Sequence, residues 1–240
     1  MMTRIPPPPI GAGRRPRADH IVLVHGAYAD GSCWSDVIPL LQRAGLDVTA
    51  VQNPLTSLAD DAAATRRALA LKDGLAVLVG HSWAGTVISE VGGDDRVSAL
   101  VYIAARAPDA GEDYPALASQ FPMPPASAGL VHADGFARLS ERAFLEDFAN
   151  GVEASRARVL HAVQGAIADT LFSSSTTTAA WRIRSSFYAV SKQDRTTAPD
   201  LERFLAARMG ASTVEIDSGH LSMITHPEDV ARLILTAAGR

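Results

Sequence analysis

The stretch Leu75-Ala76-Val77-Leu78-Val79-Gly80-His81-Ser82-Trp83-Ala84-Gly85 constrains this chain more than any other. Five consecutive apolar residues predict a strand buried on both faces. The segment 83–91 predicts a helix, ended by Gly92-Gly93. A strand, then Gly-x-Ser-x-small, then a helix puts the serine on a sharp turn with strained φ/ψ, its hydroxyl above the C-terminal edge of a sheet. Strand and helix converge there, so the flanking residues must be small, and Gly80 and Ala84 are. A helix opening at Trp83 also aims free N–H groups at any negative charge that develops beside Ser82. Ser82 is therefore a candidate nucleophile.

The same rhythm runs through the rest of the chain. Strands are predicted at Ile21-Val22-Leu23-Val24, 48–51, Leu100-Val101-Tyr102-Ile103-Ala104, Phe187-Tyr188-Ala189-Val190 and Thr213-Val214-Glu215-Ile216. Helices are predicted after Ser32 through Leu41, at 58–71 with acidic residues early and basic residues late, at 200–208 and at 227–238. Repeated strand–helix units with continuously apolar strands imply an α/β fold, a mostly parallel central sheet flanked by helices. The rhythm breaks over about 107–180, where five prolines punctuate the chain and amphipathic segments at 136–148 and 154–167 follow. This stretch is expected to be a helical cap over the sheet. Residues 1–18, with Pro6-Pro7-Pro8-Pro9 and four arginines, are expected to be a disordered leader before a single domain at 19–240.

A serine nucleophile needs a base, and the base an orienting acid. His220, in Ser218-Gly219-His220, follows the strand ending at Ile216 and so lies at the edge where Ser82 emerges. His20 precedes a strand and falls at the opposite edge. His132 and His161 fall in the cap, and His226 leads the last helix. Asp194 follows the strand ending near Val190, and Ser82, Asp194, His220 is the chain order this arrangement uses. Asp109 is the second candidate acid. The turn His25-Gly26-Ala27 offers the N–H of Ala27 to pair with that of Trp83 as an oxyanion hole, His25 itself being read as a prop for the turn. Tyr28, Leu221 and Met223 adjoin these positions and are candidate substrate-binding residues.

Composition narrows the field. A formal net charge of -4 and a pI of about 6.0 give no basic surface for nucleic acid. Arg14-Arg15 is followed by Pro16-Arg17-Ala18-Asp19-His20 rather than an apolar core, and no apolar run is long enough for a membrane span, so a cytoplasmic protein is expected. The single cysteine, Cys33, excludes an internal disulfide or a multi-cysteine metal site and is expected to be a buried small residue. Neither a metal nor an organic cofactor is called for, and a homodimer is compatible with the cap.

At Val22-Leu23-Val24-His25-Gly26-Ala27, Gly31-Ser32-Cys33-Trp34, Gly80-His81-Ser82, Gln193-Asp194-Arg195 and His220-Leu221-Ser222-Met223 the chain resembles the α/β-hydrolase superfamily. Within it, residues 20–238 resemble the branch of plant methyl esterases and hydroxynitrile lyases with their bacterial esterase relatives. The resemblance implies a catalytic triad of Ser82, Asp194 and His220, with Ala27 and Trp83 as oxyanion donors. The lyases of this branch carry a lysine immediately after the triad histidine, where this chain has Leu221, which favours hydrolysis. The expected activity is cleavage of a small, largely apolar carboxylic ester through an acyl-enzyme. A lactonase, thioesterase or cofactor-free lyase would use the same triad, and a non-catalytic small-molecule receptor would use the same fold.

Overall fold

A computed structural model describes residues 17–240. The chain alternates β1 (His20–Val24), α1 (Ile38–Arg43), β2 (Asp47–Val51), α2 (Leu58–Ala70), β3 (Ala76–His81), α3 (Ala84–Val91) and β4 (Val97–Ile103). An insertion follows, with α4 (Tyr114–Ala118), β5 (Leu130–Ala133), β6 (Phe136–Leu139), α5 (Glu141–Ala143), α6 (Ala154–Val163) and β7 (Ile167–Ala168). The main rhythm then resumes with β8 (Ser185–Ser191), α7 (Pro199–Arg208), β9 (Ser212–Ile216), α8 (Ser222–Thr225) and α9 (Pro227–Ala237).

Six strands form one parallel sheet in the order β2-β1-β3-β4-β8-β9. Every residue of β3 is buried, whereas the outer strand β2 is mostly half-buried and the outer strand β9 is largely exposed along its length. The apolar runs are thus continuous only where helices cover both faces. α1 packs with α9, and α2 with α3. Because β1 lies between β2 and β3, the chain reverses its direction of travel across the sheet there. The carboxyl ends of β1 and β3 open onto this switch point, where open α/β sheets bind their ligands. No helix among the described residues is long and apolar enough to cross a membrane.

Several local expectations change. The leader lies outside the described residues except for its last two. Of these, Ala18 is fully buried and its N–H bonds the carbonyl of Ala238 at 3.2 Å, so the packed structure begins before His20. Asp30, not Ser32, caps the first helical turn: its carboxylate accepts the Ser32 N–H at 2.7 Å. The turn over Gly31–Trp34 is 3₁₀ and stops before α1, so the expected single helix is two pieces.

The insertion between β4 and β8 carries helices as expected, and also an antiparallel sheet, β5-β6-β7. β5 and β6 pair from Ala133↔Phe136 outward around Asp134-Gly135, both in the left-handed region (φ 51 and 78). That is the backbone a two-residue primed hairpin turn requires, and Asp-Gly suits it. The expected amphipathic segment 136–148 is therefore a strand followed by a helical turn.

Candidate active site

Ser82 follows β3 directly with φ 53, in the left-handed region where a non-glycine residue is strained. The turn is held on both sides. The Ser82 N–H bonds the carbonyl of Ile103 at 3.1 Å, and the Ser82 carbonyl accepts the N–H groups of Gly85 and Arg106, each at 3.0 Å. The packing leaves no room for larger residues. A Cβ on Gly80 would stand 2.7 Å from the Ala84 carbonyl oxygen, and one on Gly85 only 1.9 Å from that of Arg106. Two more strained residues stand at neighbouring strand ends, Tyr28 (φ 59) beyond β1 and Ala104 (φ 45) beyond β4.

His220 and Asp194 are brought together at the same edge. The loops after β8 and β9 are tied by backbone bonds, Lys192 N–H to Ile216 and Gln193 N–H to Ser218, both at 2.9 Å. His220 Nδ1–H then donates to Asp194 Oδ2 at 2.5 Å, both side chains fully buried. The other oxygen, Oδ1, accepts the N–H groups of Thr196 (2.6 Å) and Thr197 (2.8 Å), which fixes the carboxylate. His220 Nε2 is buried and has no hydrogen-bond partner among the described residues. The ring packs against His81 at 4.5 Å and Phe148 at 5.2 Å between centroids, while His81 Nε2–H bonds the His220 carbonyl at 3.1 Å. The residue before Ser82 thus grips the loop that carries the histidine. Asp109 plays no part here; it pairs with Arg182.

The turn at His25 is built from the histidine itself. His25 Nδ1–H donates to the Gly26 carbonyl at 2.9 Å and Nε2 accepts the Asn53 N–H at 2.9 Å, so both ring nitrogens are committed. Burial also lowers its pKa, which favours the neutral ring this pattern needs. The backbone N–H groups of Ala27 and Trp83 have no acceptor among the described residues. His20 opens β1, at the far edge, as expected.

Ala27, Tyr28 and Ser82 line one cavity of about 230 Å³, together with Arg106, Tyr114 and Phe172 from the strand end and the cap. Leu139 and Leu201 also reach it. Two of the candidate substrate-binding residues lie off this cavity. Met223 is fully buried in the core and is not among the residues lining the Ser82 cavity; Leu221 is 2% exposed and faces a small void beside Cys33 and Phe148. Cys33 is buried, as expected, and burial pushes its thiol pKa up. Arg106, Tyr114 and Phe172 were not anticipated. Arg106 alone carried a signal, a cation three residues beyond an apolar strand at the site edge.

A strained serine between a parallel strand and a helix, with a buried carboxylate–imidazole pair from the ends of the last two strands, defines the α/β-hydrolase class of architecture. The sequence profile of the Alpha/beta hydrolase family matches residues 21–233, and the chain belongs to that family. An alpha/beta hydrolase of Aspergillus novofumigatus, nvfD, is 26% identical over 244 residues, covering 91% of this chain and 96% of its own. Among solved structures, polyneuridine aldehyde esterase superposes with a TM-score of 0.80 at 18% identity, covering 91% of this chain and 98% of that one. The methylesterase MES16 from Arabidopsis does so at 0.75 and 17%, covering 92% and 98%. These similarities fit the resemblance to the methyl-esterase branch and support a hydrolase.

Proposed function

We propose that the protein hydrolyses a carboxylic ester of a small molecule through an acyl-enzyme on Ser82. The observation that carries this reading is the His220–Asp194 pair. Its Nδ1–H is fixed by a carboxylate that two backbone N–H groups hold, and its Nε2 is uncommitted. That is the tautomer a general base needs.

In this reading Ser82 Oγ attacks the ester carbonyl carbon as His220 Nε2 takes the hydroxyl proton. The oxyanion forms against the N–H groups of Ala27 and Trp83, which are in place before the charge appears. The carbonyl re-forms, the C–O bond to the alcohol breaks, and His220 returns its proton to the departing oxygen. Water then repeats the sequence on the acyl-enzyme, releasing the acid and restoring Ser82. Asp194 stabilises the transient imidazolium. The cavity is below the usual size range for drug-like ligands, which suits a compact substrate.

A fluorophosphonate probe should label the wild-type protein at Ser82, and short-chain p-nitrophenyl esters should be hydrolysed. Ser82→Ala should lose both. Full ester turnover by that variant would overturn the reading.

A further inference from the structure

Arg106 stands three residues beyond β4, its backbone packed against the Ser82 turn and its side chain on the Ser82 cavity. The guanidinium carbon lies 4.1 Å from the ring centre of Phe172, 4.8 Å from Tyr114 and 5.5 Å from Trp83. Among the described residues it makes no ion pair and no side-chain hydrogen bond. Other arginines differ. Arg208 pairs with Glu112, Arg182 with Asp109 and Arg195 with Asp147.

A guanidinium does not shed its proton in a protein, so the charge persists in this partly buried place. Three aromatic faces offset part of the desolvation and fix the plane of the group. They accept none of its five planar N–H donors. Beside it, the Tyr114 hydroxyl is buried, also without a partner. A cation with unused donors, clamped in the cavity that holds the nucleophile, matches the fork geometry of a carboxylate.

We propose that Arg106 recognises a free carboxylate on the substrate, so that the preferred ester is the half-ester of a dicarboxylic acid. The proposal rests on Ser82 being the nucleophile of an ester hydrolase. It changes the expected substrate from a largely apolar ester to an anionic one, with the aromatic and aliphatic wall covering the chain between the two carboxyl groups.

Monomethyl esters of the straight-chain diacids from succinate to suberate are compared with the matched dimethyl esters. At about pH 7 the distal carboxyl is ionised. The best monoester should exceed its diester in kcat/KM by roughly tenfold to hundredfold, the range expected of a hydrogen-bonded charge, chiefly through KM. Arg106→Met should collapse that ratio, and Arg106→Lys, which keeps the charge but not the fork, should lower it part of the way. Preference for the diesters, or an unchanged preference in Arg106→Met, would overturn the proposal. If Arg106→Met does not fold, the same comparison is read from Arg106→Lys, where an unchanged ratio overturns it. Calorimetric titration with adipate separates the two levels of inference. Binding by wild type that Arg106→Met loses supports the anion site even if Ser82 takes no fluorophosphonate and no ester is cleaved, in which case the hydrolase reading falls alone. Equal binding by both proteins sinks the anion site whatever the esters do.

Discussion

The indole Nε1–H of Trp83 donates to Asp61 Oδ2 at 2.8 Å, which joins α2 to the residue that follows the candidate nucleophile. Asp61 is fully buried, and its other oxygen accepts the N–H of Leu55, itself in the left-handed region at φ 59. One carboxylate therefore steadies both a strained turn and the side chain of the residue whose backbone N–H is a candidate oxyanion donor. Asp61→Ala orphans two buried donors and should cost roughly 2–4 kcal/mol of stability. Burial raises the Asp61 pKa above the ordinary carboxylate value. An acid with a raised folded pKa contributes fully below its unfolded pKa, near 3.9, and less as pH rises through the folded one. The Asp61→Ala penalty in urea midpoint should thus be largest near about pH 4 and smaller near about pH 7. The reverse order would show that the carboxylate is better accommodated charged.

Gly85→Ala tests the close approach of α3 to the strand end beyond β4. The added Cβ meets the Arg106 carbonyl oxygen at 1.9 Å and Ala105 Cβ at 2.9 Å, and neither atom is the tip of a flexible side chain. The backbone must shift, at a cost of about 1–3 kcal/mol or more. Because Arg106 N–H bonds the Ser82 carbonyl, ester turnover should fall with it. Gly93→Ala is the control, since nothing lies within 4 Å of its Cβ position, and should stay within about 0.5 kcal/mol of wild type. Equal effects at the two positions would mean that the α3 approach is not what demands glycine.

The sheet and the residues at its carboxyl edge were legible because buried parallel strands are apolar runs, and each functional loop begins where a run ends. Asp194 and His220 follow directly from that, and their hydrogen bond agrees with it. Leu221 and Met223 adjoin His220 in sequence but do not line the Ser82 cavity, because adjacency in sequence says nothing about which way a side chain turns after a bend. The strands of the cap were hidden by brevity. β6 offers only Phe136, Ala137, Arg138 and Leu139, which also fits a helix start. The Asp134-Gly135 pair was the signal that separated the two. Arg106 was illegible as an unpaired cation, because its aromatic neighbours come from separated segments of the chain.

Asp194→Asn probes the orientation of His220 without removing bulk. An amide cannot offer two acceptor oxygens, so either Thr196 and Thr197 or His220 Nδ1–H loses its partner. Ester turnover should drop on the order of 10⁴-fold in kcat, with far less change in thermal midpoint. Asp109→Asn removes the partner of Arg182 instead and should change kcat by no more than about twofold, as expected for an exposed ion pair. A large loss at Asp109 with a small one at Asp194 would transfer the acid's role.

Glu202 makes the most pH-sensitive prediction. It is fully buried on α7, and Oε2 accepts the Ser191 N–H at 2.9 Å. Burial first, and then the negative charge of Asp194, push its carboxyl well above the ordinary value, which favours the neutral acid behind Asp194 of the candidate triad. For an acid with a raised folded pKa, the stabilisation is complete below the unfolded pKa, about 4.3, and is lost as pH climbs through the folded one. Wild-type stability should therefore decline as pH rises above the unfolded value. The slope should approach about 1.4 kcal/mol per pH unit while the unfolded chain has lost the proton and native Glu202 still holds it, and the curve should level off once native Glu202 ionises. Glu202→Gln keeps an acceptor for Ser191 N–H and cannot ionise, so its curve should stay flatter over the same range. Ester turnover should follow stability, because a second carboxylate beside Asp194 would repel it and disturb its hold on His220. Urea midpoints and kcat measured from about pH 6 to about pH 9 on both proteins decide the matter. Parallel curves would assign the alkaline loss to another group.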